Sequence, residues 1–242
     1  MRNLWLFMQG LDWSPLFISL KTGVVATFLC FFLGTWLAGM VYRAGPALKA
    51  VLDGVLTLPM VLPPTAAGFF LLLFFSQRRP FGKYLFQAHG IRIVQTWTGC
   101  ILAAAVIALP LMYRNARAAF ELVDENLVYA ARTMGMSETA IFFKVLVPSA
   151  QPGLLSGVVL TFARALGEYG ATSMLAGNIP GRTGTISQRI AMVIQDGDYT
   201  VAGFWAAVIT LIAFAVIVIM NLVSDVFGFT FIYFINFIFN KF

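Results

Sequence analysis

The chain has 242 residues, 60% of them hydrophobic and 11% charged, with a formal net charge of +6. A soluble domain carries about 25% charged residues, so a water-soluble fold is excluded, and apolar runs of about 20 residues predict a polytopic all-α membrane protein. The positive charges sit in short segments beside those runs, which suits interfacial anchoring and argues against a nucleic-acid partner.

Residues 1–14 hold Trp5 and Trp13 among apolar residues, interrupted by Arg2 and Asp12. The stretch is too short for a span and lacks the cleavage site of a signal peptide, so it reads as an interfacial N-terminus. A first span is predicted over 16–42, with Lys21 near its start able to snorkel to the interface. After a turn at Arg43-Ala44-Gly45-Pro46, the second span, 51–76, contains Pro59, Pro63 and Pro64. Each proline removes a backbone donor, so this helix must kink or break. The carbonyls set loose there need neighbouring helices, hydroxyls or water in a cavity. Both a pathway-lining helix and a merely bent packing helix fit.

Residues 77–96 form a loop bearing Arg78, Arg79, Lys83 and Arg92, suited to an acidic binding protein, an anion or lipid headgroups. The third span, 97–113, is rich in Ala (Ala103, Ala104, Ala105, Ala108), which permits close helix packing. Arg114 and Arg117 follow, then the acidic turn Glu121, Asp124, Glu125. Beyond it, Tyr129 to Pro148 is a polar-flanked segment between apolar runs. Ala130 and Ala131 leave a helix face bare, so that another protein can approach closely. Gly135 can adopt the positive φ of a tight bend between two short helices, and Pro148 suits the opening of the next helix.

The fourth span, 153–175, carries Arg164 and Glu168 four residues apart, hence on one helix face. Charge inside a membrane is costly, so the two should pair and face the bundle interior or a water-filled cavity. A structural interhelical ion pair and a pathway position both fit. Gly167, Gly170 and Gly177 allow close backbone approach. Residues 178–200 carry turn chemistry at Pro180-Gly181 and Asp196-Gly197, with an amphipathic piece from Ile186 to Ile194 read as a short surface helix. A fifth span covers 201–223. The aromatic tail, 226–242, is short for a comfortable span, which leaves a sixth short span, an interfacial helix and an atypical terminus open. No soluble domain remains, so 1–242 reads as one transmembrane domain.

Cys30 and Cys100 fall inside predicted spans without metal-ligand spacing, and His89 is a lone loop histidine. The chain has no glycine-rich phosphate loop followed by Lys and Ser or Thr. No metal or cofactor is expected on it, and no residue constellation supports a membrane enzyme.

The segment YAARTMGMSETAIFFKVLVP resembles the Glu-Ala-Ala loop of ABC importer permeases. Ala130, Ala131, Gly135 and Pro148 match at the family spacing, while Tyr129 stands where the family most often has Glu. LTFARALGEYGATSMLAGNIPG resembles the signature of oxyanion importer permeases, covering molybdate, tungstate and sulfate. With the proline-rich second span, KYLF, LPLMYR and NIPGRT, the chain is most similar to molybdate permeases.

The resemblance implies a type I ABC importer transmembrane-domain fold of about five, or six, transmembrane helices with a cytoplasmic coupling loop over 126–148. It also supplies the orientation, N-terminus outside, because Lys and Arg are almost evenly divided between the two sides. An ATP-hydrolysing subunit, present in two copies and carrying the ATP and Mg, would dock on Tyr129, Ala130, Ala131, Gly135, Met136 and Pro148. An extracytoplasmic oxyanion-binding protein is the second implied partner. A single five-span chain does not easily enclose a path, so a second copy across a two-fold axis is expected in the lipid. The pathway candidates are Pro63, Pro64, Arg164, Glu168 and Gly170.

The function so implied is translocation of molybdate, or a similar tetrahedral oxyanion, across a bacterial inner membrane by alternating access. A sulfate or tungstate permease is the alternative within the class. An ion-coupled secondary transporter is the alternative from another class; it would need membrane-embedded acidic sites, for which Glu168 alone qualifies.

Overall fold

A computed structural model of the chain describes residues 11–226. Ser14–Tyr42 forms one unbroken helix, α1, with Pro15 in its first turn. At 1.5 Å per residue it is roughly 43 Å long, ample for the ~30 Å hydrocarbon core. Its buried face is made of small residues, among them Gly23, Ala26, Cys30, Gly34, Ala38 and Gly39. The large side chains Phe17, Phe28, Leu33, Trp36 and Met40 point outward. This is the inverse of a soluble helix, because lipid solvates large apolar groups and small ones let backbones approach.

The helix that α1 grips is α5, Trp97–Glu121, whose buried face includes Cys100, Ala103, Ala104, Ala108, Met112, Tyr113 and Ala116. A Cβ built on Gly34 would lie 2.9 Å from Met112 Cγ, and one on Gly39 2.3 Å from Phe142. The third member of the core is α8, Gln151–Leu166, which packs on both. α5 outruns the predicted third span by two turns. Arg114 and Arg117, expected to follow the span, lie inside the helix, because nothing in Arg114 to Glu121 breaks a helix even though its apolar character has ended.

The second span is broken rather than kinked. α2, Pro46–Val61, and α3, Pro64–Phe75, meet at 107°. Leu62 and Pro63 each precede a proline, which pushes a residue out of the helical region, and both are extended, with ψ of 142° and 132°. The sequence placed a loop over 77–96, yet Pro80–His89 forms a short helix, α4, closed by Gly90 at φ +66°. There Arg78, Arg79, Lys83 and Arg92 are exposed. Lys21 is exposed, with its Nζ 3.8 Å from the centroid of the Trp97 ring.

Two further helices, α6 (Glu125–Thr133) and α7 (Glu138–Ser149), precede α8, and α7 meets α8 at a 74° bend. The predicted fourth span also divides: α8 stops at Leu166, and a six-residue helix, α9 (Gly170–Leu175), follows. α10, Ile186–Gln195, opens on a capping box formed by Thr185 and Gln188. It is not simply a surface helix, because Ile186, Gln188 and Val193 are buried where it packs on α1 and the last helix. Gly181 and Gly197 take φ of +70° and +80° in the turns expected at those positions.

The last helix, α11 (Tyr199–Val226), is anchored at its start by Trp205, fully buried with its ring 5.6 Å from that of Trp13. Farther along, Leu211, Phe214, Ile219 and Leu222 are exposed. Among the described residues, α1, α5 and α11 are each long and apolar enough to cross a membrane, and counting each of the two bent pairs as one span brings the candidates to five. The readings of an interfacial N-terminus and an aromatic tail fall on residues largely outside the described ones.

α3 packs against α9, and Gly68 makes the contact. A Cβ there would lie 2.6 Å from Ala171 Cα and 2.8 Å from its carbonyl oxygen, both backbone atoms. Gly68→Ala should therefore cost about 1–3 kcal/mol of overpacking and lower the thermal unfolding midpoint in detergent. Gly54→Ala, where an added Cβ meets nothing within 4 Å, should leave the midpoint unchanged or slightly raised.

Candidate functional site

The loop between α5 and α7 is built as a small unit with its own interior. Asp124 caps α6, its Oδ1 accepting from Asn126 N at 2.9 Å. Glu125 in the first turn and Arg132 in the last complement the helix dipole. The chain then reverses at Gly135, φ +77°, where Met136 N donates to Ala131 O at 3.2 Å. Ser137 opens α7, accepting from Ala140 N. Val128, Ala131 and Ile141 form the buried interior, with Met136 and Val145 half-buried against it.

The two adjacent alanines therefore do different things. Ala130 is exposed, whereas Ala131 is 2% exposed and lets α6 lie against α7. The bare face expected of both belongs to Ala130, flanked by Leu127, Tyr129 and Met134, all exposed apolar side chains. Across the bend, Arg132 binds Glu138 through two hydrogen bonds of 2.7 and 3.2 Å. These bonds hold the Glu138 carboxyl below its ordinary range and raise Arg132 above its own. Arg43, at the end of α1, donates to the Glu138 carbonyl at 2.9 Å and so ties the loop to the bundle. Tyr129 donates its hydroxyl to Glu125 at 3.3 Å.

Pro148 does not open the next helix. It lies in the last turn of α7, after a widened turn over Phe142–Leu146 in which the Val147 N–H reaches back to the Phe142 carbonyl. That widening makes room for a ring that would otherwise strike the carbonyl four residues back. Pro152 takes the place expected of Pro148, in the first turn of α8.

The second group of residues lies where the broken spans touch. Arg164 Nη1 and Glu168 Oε2 are 2.6 Å apart, with Glu168 only 2% exposed and Arg164 33%. They do not share one helix, because α8 has ended at Leu166. Glu168 sits in the break, and its other oxygen accepts from Ala171 N at 2.8 Å, capping α9. A Cβ on Gly170 would lie 3.1 Å from Pro64 Cβ and from Thr65 N. Pro64, at the start of α3, thus meets the same break as Glu168 and Gly170, with Pro63 immediately before it and Arg164 one turn away.

Sequence reasoning counted Glu168 as the acid within the membrane segments and passed over Asp53. Asp53 also falls in the predicted second span, and its carboxylate meets the Arg117 guanidinium and the Tyr113 hydroxyl. The available signals were the four-residue spacings Lys49/Asp53 and Tyr113/Arg117/Glu121.

A helical bundle of this kind, with two broken spans in contact and an exposed two-helix loop, has the type I ABC importer transmembrane-domain fold. A chain of the MetNI methionine ABC transporter, in an inward-facing conformation, matches it with a TM-score of 0.68 at 18% identity, over 93% of this chain and 97% of that one. The chain belongs to the family of binding-protein-dependent transport system inner membrane components, which it matches over residues 31–231.

Among its relatives is the molybdenum transport system permease protein ModB of Escherichia coli strain K12, 41% identical over 76% of this chain and 80% of ModB. ModB of Haemophilus influenzae is 38% identical over 75% of this chain and 80% of its own length. The sulfate transport system permease protein CysT of Salmonella typhimurium is 31% identical over 87% of this chain and 76% of CysT. The protein is thus a multi-pass component of the bacterial inner membrane and a permease subunit of an ABC importer.

Removing Arg164 would leave the Glu168 carboxylate buried without its cation. A broken buried pair costs about 3–5 kcal/mol, and the partial exposure of Arg164 places this one at the lower end. Arg164→Ala should sharply reduce the yield of folded protein in size-exclusion chromatography. Arg164→Ala/Glu168→Gln should recover much of it, because Gln still offers an acceptor to Ala171 N–H.

Proposed function

We propose that this chain is the translocating subunit of a molybdate importer driven by ATP. The observation that carries the substrate is the 41% identity with a molybdenum permease, against 31% with a sulfate permease. Sulfate or tungstate is the second reading, which the sulfate relative favours. Two copies of the chain enclose the path in lipid, and a binding protein delivers the oxyanion to the outer face.

Two ATP-hydrolysing subunits dock on the α6–α7 loop and carry the ATP and Mg; this chain performs no chemistry of its own. Tyr129 and Ala130 supply the contact face, while Ala131, Gly135, Met136 and Pro148 hold the shape that presents it. The exposed Leu127, Tyr129 and Met134 support this assignment, since such apolar patches mark interaction sites. Alternating access follows when closure of the ATPases draws the two loops together and the bundles rock as bodies. Pro63, Pro64 and Gly170 let the spans move against each other at the break, and Arg164 offers the anion a positive charge held in place by Glu168.

The test is to purify the tagged chain in mild detergent from its native membrane, then reconstitute it with what accompanies it. An ATP-hydrolysing subunit at equal stoichiometry, and molybdate uptake that requires ATP and the binding protein, are the expected results. A chain that stays alone through several gentle detergents, or uptake driven by an ion gradient, overturns the proposal. Gly135→Val, forced into a left-handed conformation at about 1–2 kcal/mol, should insert normally yet recover roughly tenfold less ATPase.

A further inference from the structure

α2 buries none of its residues, yet it leads directly into the Pro63–Pro64 break. Its apolar contact with the core is made by the half-buried Leu52 and Leu56. Beside it runs a polar ladder to α5. Lys49 Nζ lies 2.6 Å from Glu121 Oε1, which also accepts from Arg117 Nε at 3.2 Å. One turn along α2, Asp53 binds Arg117 and the wholly buried Tyr113. Tyr113, Arg117 and Glu121 are successive turns of α5, which continues through Leu122–Asp124 into α6. The helix that carries these rungs therefore also carries the exposed loop.

We infer that this ladder is the joint through which movement of the α6–α7 loop reaches the broken second span, and that Asp53 and Arg117 are positioning residues for transport. The inference rests on the loop being the ATPase dock. An apolar contact between α2 and α5 would let the helices slide and rotate. A ladder of directional bonds fixes both the register and the rotation of α2. The Asp53 and Arg117 side chains are 25% and 23% exposed, so the pair is not sealed inside the chain and its rungs can part and re-form during a cycle. A shift of α5 then pulls α2, and through Leu62–Pro63 it displaces α3, whose Pro64 and Gly68 press on Gly170 and Ala171.

The test uses the reconstituted complex with its ATPase and binding protein, and reads molybdate taken up per ATP hydrolysed. Asp53→Asn keeps an acceptor for Tyr113 and removes the charge facing Arg117. The expected complex assembles at wild-type stoichiometry and hydrolyses ATP within about twofold of wild type, while uptake per ATP falls about tenfold. Arg117→Lys, which keeps the charge, should lose much less. An unchanged ratio overturns the inference, as does a parallel fall in hydrolysis and uptake with a lower unfolding midpoint, since the ladder would then only hold the fold. Should Asp53→Asn not assemble, Lys49→Met removes the outer rung and is judged by the same ratio; failure of both to assemble also overturns the inference. Absence of ATP-driven uptake by the wild-type complex is a separate result: it refutes the importer reading, and the joint falls with it.

Discussion

The two hydrogen-bonding oxygens of Glu168 hold together the part of the molecule that the Pro63–Pro64 break meets. Inside a bilayer, an amide freed at a helix break has no water to turn to. Here the break after Leu166 frees the first N–H groups of α9, and a buried carboxylate takes one of them while Arg164 balances its charge. A carboxylate makes a stronger acceptor than a neutral cap, and it needs its cation because a lone buried charge would not persist. The helix so capped is only six residues long, too short to hold itself. Its position is what allows Gly170 and Ala171 to receive α3.

Close packing of small residues sets the rest of the bundle. α1, α5 and α8 approach through Gly and Ala, and large side chains are turned outward along α1 and α11. Lipid removes the hydrophobic contrast that would drive large residues inward, leaving shape and dispersion to do the work. The core is consequently closely packed where α1 meets α5 and sparse around α2, whose side chains are never fully covered. A molecule made this way can move α2 and α3 without dismantling its centre.

Much of this was legible in the sequence. The limits of α1, the break at Pro63–Pro64 and the positive φ at Gly135 follow from local chemistry, because proline and glycine act within a turn or two; the contact between Arg164 and Glu168 is expected on one helix face and forms instead across the end of α8. Features that depend on distant partners were not legible. Ala131 turns inward because α7 lies beneath it, and nothing in its own neighbourhood distinguishes it from Ala130. α5 runs past its apolar stretch because a helix ends at a cap or a breaker rather than where hydropathy falls. The break after Leu166 occurs without a proline, and Glu168 caps the helix beyond it. Asp53 finds Arg117 across 64 positions of sequence, and the four-residue spacings on each helix mark a charged face without naming its partner.

The placement of charge then separates two mechanical roles within one chain. At the break the ion pair is buried on its acidic side and caps a helix, so parting it exposes an amide and a carboxylate together. In the α2–α5 ladder every charged rung is partly exposed, and an exposed ion pair is worth little net free energy. In the joint inferred above, loads passing from the loop toward the spans meet these exposed contacts first. The buried pair yields last, so the geometry favours displacement of α2 and α3 as a unit over unfolding of α9. The small-residue contacts between α3 and α9 set how far that displacement can go, because Gly68 and Gly170 leave no slack beneath them.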